Sequence, residues 1–369
     1  MRRTFEHLGW LLFLAAAAAA LFVSARWFSS ALADEDPRAL VERGAYKQAR
    51  ALLAPRLAAN PTDAEALWLM SRVTQAYGDP KSALALAEQA LALDARNADY
   101  HLQVAEVCGQ MAQKSGPLKG MGLGKRFRRE AEAAIALDPR QLDAREDMMH
   151  FYWEAPGIVG GDKKKAQAMA DSIEAMDPVR GNLAHAALAL EKKDSTAAEG
   201  FYRRAAELGA ASYEAQVSAA GWYTSSSQQR WDLAERHARA ACALDPRRAG
   251  PYTVLAGIYA RQQRWAALDS ILAAARAAVP GNLTPCYAAG RALLLEGGDP
   301  VRAEGCFRAY LDAEPEGNAP TLAHAHWRLG LALDRQGKHA DAIAELETAV
   351  RLKPDLDDAK KDLKRLRRA

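Results

Sequence analysis

Short strings with a common ending recur along this chain: ALALDAR at 90–96, AIALDPR at 134–140 and ACALDPR at 241–247, with EAMDP at 174–178 and VRLKP at 350–354 as variants. Twelve residues upstream of each closing position stands a small or apolar side chain. These positions are Ala49, Ala83, Phe127, Ala166, Ala198, Ala234, Leu268, Ala303 and Ala342, separated by 34, 44, 39, 32, 36, 34, 35 and 39 residues. A period near 34 constrains the fold more than any other feature. Units that small cannot bury an apolar face alone, so they must stack into one continuous array.

Within each period the apolar residues follow helical spacing twice. The seventh unit, AGPYTVLAGIYARQQRWAALDSILAAARAAVP, is clearest. Tyr252, Leu255, Ala256 and Tyr259 share one face of a first helix, and Trp265, Leu268, Leu272 and Ala275 share a face of a second, which Pro280 ends. The last unit repeats the plan with Leu329, Gly330 and Leu333, then Gly337, Ala342, Leu346, Ala349 and Pro354. Hydrophobic residues make up 50% of the chain but aromatics only 7%, so alanine, the strongest helix former, carries much of the core. The expectation is an all-α protein.

This pattern resembles the tetratricopeptide repeat family, which places an aromatic, a Leu-Gly pair and a tyrosine on one helix and three small or apolar residues on the next. About nine repeats fit, with the solenoid spanning 34–354. The resemblance implies a right-handed superhelix whose first helices line a concave groove. Residues 355–369, DLDDAKKDLKRLRRA, put acids first and bases last, which suits a helix dipole, and read as a polar helix capping the stack.

The N-terminus reads differently. A basic start, MRRTFEH, precedes an uncharged run from Leu8 to Ala25, and Ala31 and Ala33 form an A-x-A pattern before Asp34. That order describes a secretory signal over 1–33, the alternative being an uncleaved membrane anchor. Either reading exports the rest of the chain, so a periplasmic location is expected. The four cysteines, Cys108, Cys242, Cys286 and Cys306, lack C-x-x-C spacing and read as small buried residues. Should a pair form in an oxidising compartment, Cys286 with Cys306 is the expected one.

Two of the long spacings come from extra residues between the helices of the third and fourth repeats: KSGPLKGMGLGKRFRR at 114–129 and APGIVGGDKKK at 155–165. Neither is a nucleotide loop. Asp162 stands where a phosphate loop needs glycine before lysine and serine or threonine, and no strand precedes GMGLGK. Both read as inserted glycine-rich loops, with Gly157, Gly160 and Gly161 tolerating positive φ and Asp162 capping the next helix. Emerging side by side, they would form a basic, mobile ridge of Lys119, Lys125, Arg126, Arg128, Lys163, Lys164 and Lys165, suited to anionic lipid or an acidic partner.

Carried over from the family resemblance, the groove-facing slots are Glu65, Trp68 and Arg72 in the second repeat, Asp99 and Glu106 in the third, and Asp143, Glu146, His150 and Trp153 in the fourth. Trp222, Trp327 and Asp334 occupy later slots. An acidic stretch with aromatics nearby would favour a basic peptide carrying an apolar anchor. Trp231 and Trp265 fall on second helices and read as packing residues. A net charge of +3 does not suggest nucleic-acid binding. His150 and Glu154 lie one helical turn apart, but no third metal ligand is identifiable, and no nucleophile, base and orienting acid can be assembled. No cofactor and no catalytic residue are expected. The expected function is a non-catalytic protein-binding scaffold of the bacterial cell envelope. The rival is a ligand-binding accessory component of a transport system, with the closed-up superhelix as its cavity, and an enzyme stands third.

Overall fold

A computed structural model describes residues 35–368 apart from 226 and 297; the expected signal or anchor at 1–33 lies outside the described residues. The described chain is all α-helix, with 19 helices and one short 3₁₀ turn. They pair as nine helix–turn–helix repeats: α1 (Pro37–Arg43) with α2 (Tyr46–Ala59), α3 (Ala64–Ala76) with α4 (Pro80–Leu93), α5 (Ala98–Gln113) with α6 (Pro117–Leu137), and α7 (Leu142–Glu154) with α8 (Lys163–Met176). Next come α9 (Pro178–Glu191) with α10 (Ser195–Leu208), α11 (Tyr213–Thr224) with α12 (Trp231–Leu244), and α13 (Ala249–Arg261) with α14 (Trp265–Ala278). The series ends in α15 (Thr284–Leu295) with α16 (Pro300–Leu311), α17 (Leu322–Asp334) with α18 (His339–Leu352), and a final α19 (Asp357–Leu366). Among the described residues no helix is long and apolar enough to cross a membrane.

The periodic small residues explain the pairing. All nine positions from Ala49 to Ala342 are buried, each at the line where a second helix meets its partner. At seven of them an alanine methyl lets two backbones approach closely, while Leu268 and Phe127 fill the other two, Phe127 against Gly109. Local signals agree with this packing. Asp36, Asp79, Asp177 and Asp299 each cap a helix that opens with proline, pairing a side-chain acceptor with a residue that lacks the donor it would otherwise leave unsatisfied. Asp177 closes α8 and caps α9 at once, so no linker separates the two repeats. That missing linker accounts for the short 32-residue spacing.

The last 39-residue spacing has another cause. Between α16 and α17 the chain runs out to the opposite end of the array and binds the first two repeats. Asn318 N donates to the carbonyl of Ala76 (2.8 Å), and Lys47 N donates to Glu316 Oε2 (3.1 Å). The Lys47 ammonium donates to the carbonyls of Gly281 and Glu314, both at 2.8 Å, and Arg50 holds both carboxylate oxygens of Glu314 at the same distance. Glu316 is only 8% exposed. Gly317 fits against Ala76 so closely that a Cβ would stand 2.8 Å from the Ala76 methyl. The superhelix therefore closes on itself, and its first helices face one another across a narrow hollow. Arg38, Arg72, Asp99 and Asp143 from one side meet Glu214 and Arg248 from the other around a pocket of about 330 Å³.

At the far end α19 buries Ala359, Leu363 and Leu366 against the ninth repeat. The cysteines are free thiols, with Cys108, Cys286 and Cys306 buried. Cys286 and Cys306 face each other between α15 and α16, the Cys286 Sγ lying 3.7 Å from the Cys306 carbonyl oxygen.

Candidate functional site

The segment at 114–129 is not a loop. From Pro117 it is the first part of the 21-residue helix α6, capped by Gly116 with proline in the first turn. Its glycines serve close approach. A Cβ on Gly120 would stand 3.3 Å from the Ala112 carbonyl oxygen, and one on Gly124 would stand 3.1 Å from Val159 Cγ1. The extension thus lies flush against the end of α5 and against the second insert. That insert does turn the chain: Gly157–Val159 form a 3₁₀ turn, Gly160 adopts φ 116°, and Asp162 caps α8 by accepting from the amides of Lys164 and Lys165. Gly160, not Gly157 or Gly161, takes the positive φ. Val159 is buried.

Together the two inserts wall a cavity of about 780 Å³ on the concave side of the third and fourth repeats. Met121 and Phe127 of α6, Phe151 of α7, and Ile158 and Val159 of the turn give it apolar sides. Phe127 stacks on Phe151 at 5.2 Å between ring centroids. The floor is polar: Glu106 and Gln110 from α5, Asp147 from α7, and Gln75 from α3, with His150 and Glu154 also on the lining. No group of three or more metal-ligating side chains is gathered among the described residues.

The floor carboxyls hold their protons unusually well. Burial raises Glu106 to about 7; Arg72 opposes the rise, while Asp143 and Asp99 add to it. Burial raises Asp147 to about 8, reinforced by Glu106, Asp143 and Glu146. Both keep some accessible surface, and desolvation is the largest cause of each rise. No side-chain or backbone hydrogen bond stabilises either group. Asp147 Oδ2 and Gln110 Oε1 are buried without a partner, uncommon for interior polar atoms.

The remaining acids of the expected groove are not free. Arg180, at the start of α9, pairs with Asp143 at 2.5 Å and Glu146 at 2.9 Å. Arg38 pairs with Asp99 at 3.0 Å, and Arg56 with Glu65 at 2.7 Å. Trp68 and Trp222 are buried, with Trp68 still on the lining of the pocket in the hollow. Arg38 and Arg72 cover the Trp68 ring at 4.9 and 5.6 Å, and Trp222 stacks on Tyr202 at 5.3 Å. These covering side chains come from the same helix or one stacked before it, so packing of consecutive repeats is enough to bury both rings. Trp327 serves the capping helix, its Nε1 donating to Asp362 at 2.9 Å, while Asp334 pairs with Arg365 at the same distance. Trp153, like Trp327, is half-buried, its Nε1 donating to Glu191 at 3.1 Å and Lys163 lying 4.5 Å above its ring. The packing tryptophans Trp231 and Trp265 are half-buried beneath Arg261 and Arg302.

The basic ridge divides as well. Arg126 pairs with Glu88 at 2.5 Å and Arg128 with Glu132 at 3.5 Å, while Lys165 sits 5.5 Å over the Tyr152 ring. Lys119, Lys125 and Lys164 are exposed, but they stand on helices α6 and α8, not on a loop. Asp147 escaped sequence reasoning although it continues the stripe of Asp143, His150 and Glu154 on α7. Arg180 escaped because its partners lie one repeat earlier.

A family model for the tetratricopeptide repeat matches residues 323–356. Among solved structures, yeast Tom70 aligns with a TM-score of 0.50 at 16% identity, covering 95% of this chain and 86% of that one. TTC0263, a thermophilic tetratricopeptide-repeat protein of Thermus thermophilus, aligns at 0.43 and 21% identity over 55% of this chain and 94% of its own. The Cut9–Hcn1 hetero-tetramer of the APC/C gives 0.39 and 13% over 89% of this chain and 76% of that chain. No curated protein sequence matches.

Proposed function

From a tetratricopeptide-repeat solenoid whose two ends are joined, we propose a non-catalytic scaffold of the bacterial cell envelope that binds a polypeptide partner on its concave side. The observation that carries this reading is the walled cavity of the third and fourth repeats, where apolar sides descend to an acidic floor. Helical solenoids use such inner surfaces for recognition, and a basic segment with apolar residues beside its charge complements this one. Export follows from the basic, apolar and A-x-A order of residues 1–33.

Two experiments test the proposal. A photo-reactive amino acid at Met121, beside the floor, should crosslink a defined partner in intact cells, whereas one at Leu208 on a distant repeat should not. Equal crosslinking from both positions would remove the cavity from the reading. Fractionation and N-terminal sequencing test export: a mature chain starting at Asp34 in the periplasm supports it, and an intact cytoplasmic chain opposes it.

The size of the cavity also favours a second reading, the binding of a small ligand for a transport system, since about 780 Å³ falls within the range of ordinary ligand pockets. A small molecule retained on the purified protein in native mass spectrometry would select it.

A further inference from the structure

The buried side-chain atoms left without a partner on the cavity floor are acceptors. Asp147 Oδ2 and Gln110 Oε1 have no donor, and the Glu106 carboxylate takes no hydrogen bond within the described chain. Arg72 attracts Glu106 electrostatically without bonding to it, and its guanidinium is occupied over Trp68. Arg180 and Arg38 are held by the outlying acids Asp143, Glu146 and Asp99. The floor therefore presents unpartnered acceptors with Arg72 as the one positive charge acting on Glu106, while the walls above it are aromatic and aliphatic.

We propose that this cavity is a receptor for a cation on an apolar stem: an alkylammonium or guanidinium head set between Glu106 and Asp147, with its stem along Phe127, Phe151 and Val159. This rests on the polypeptide-binding reading insofar as lysine or arginine of a bound segment supplies the head; a free amphiphilic amine has the same chemistry. The charged groups that face the pair are Arg72 on α3, Asp99 on α5, and Asp143, Glu146, His150 and Glu154 on α7; Arg38 offsets Asp99 and Arg180 offsets Asp143 and Glu146, so the two carboxyls of the pair outweigh the single charge of Arg72. Cation binding favours ionised carboxylates. The proton held by the empty pair then passes to solvent, and affinity rises with pH between about 6 and 8.5.

Calorimetry with three probes of one shape tests this: 4-phenylbutylammonium, 4-phenylbutanol and 4-phenylbutyrate. At pH 8.5 the ammonium should bind roughly tenfold or more tightly than the alcohol, a ratio set by one charge-assisted contact in a partly dry site, and the carboxylate should bind weakest. The ammonium preference should shrink at pH 6, and its heat at pH 7 should vary with the ionisation enthalpy of the buffer, reporting proton release. In the Glu106→Gln/Asp147→Asn variant the alcohol should still bind, showing an intact cavity, while the ammonium preference disappears. Equal binding of ammonium and alcohol, tightest binding of the carboxylate, or a preference unchanged in the variant would overturn the assignment.

A peptide Ala-Phe-Lys-Leu-Ala and its norleucine counterpart separate the two sources of the head group. Ammonium selectivity without peptide binding leaves the receptor standing and ends the polypeptide reading. Peptide binding indifferent to lysine does the reverse.

Discussion

At the scale of single residues, Glu106 and Asp147 set the pH behaviour of the molecule. Their carboxyls have ordinary values of 4.5 and 3.8 and rise to about 7 and about 8 in the fold, so the native state binds more protons than the unfolded chain between these limits. Stability must fall as pH climbs through that window. Glu106→Gln and Asp147→Asn should each raise the melting temperature at pH 9, by an amount equivalent to about 1–3 kcal/mol, and change little at pH 4. Melts followed by circular dichroism at the two pH values check this, and equal shifts at both would contradict the titration. The cysteines allow a second test. Burial keeps Cys108, Cys286 and Cys306 from reagents, so thiol labelling of the native protein should be slow at these three and faster at half-buried Cys242, then complete on unfolding. Glu106 was legible as a groove residue because its repeat slot is fixed by period. Its lack of a partner was not, since that depends on which arginines neighbouring repeats direct toward it.

Among the elements, α6 shows where sequence pattern and structure part. Four glycines in nine residues argue for a loop by propensity alone, yet Pro117 in the first turn and the apolar series Met121, Leu123, Phe127 and Ala131 mark a helix start and a packed face. Packing wins because Gly120 and Gly124 let the helix lie against backbone and turn, contacts that offset the roughly 1 kcal/mol a glycine costs in a helix. Gly124→Leu should press on Val159 and Phe151, destabilise by about 1–3 kcal/mol and weaken 4-phenylbutanol binding in calorimetry. The next cap offers a milder change: Asp162→Ala removes the acceptor for two amides of α8 and should cost about 1 kcal/mol, measurable by urea titration. The nine periodic positions and the helix pairing were readable from the period. The walls of the cavity were not, because they depend on two inserts meeting in space across repeats.

Taken as a whole, the molecule departs from an open solenoid at the segment between α16 and α17. Its spacing excess was visible in the sequence, but an excess of five residues does not say what it touches. The partners are Ala76, Lys47 and Arg50, more than 230 residues away in the chain. Gly317→Val should drive a branched side chain into Ala76 and Tyr46 and separate the two ends, enlarging the radius of gyration in small-angle scattering while helix content by circular dichroism stays nearly constant. An unchanged radius would show that the ends hold without this fit.

The join also fixes how many repeats can stand between the segments it fastens. In an unjoined stack, each unit answers only to its neighbours, and units can be duplicated or lost with a proportionate change in stability. Here a gained or lost unit would carry Glu314, Glu316 and Asn318 past the residues that receive them, as a link added to a fastened chain leaves the clasp out of reach. The eight repeats up to the join are therefore a number set by circumference, and the freedom of an open repeat stack to vary in length is closed to that part of the chain.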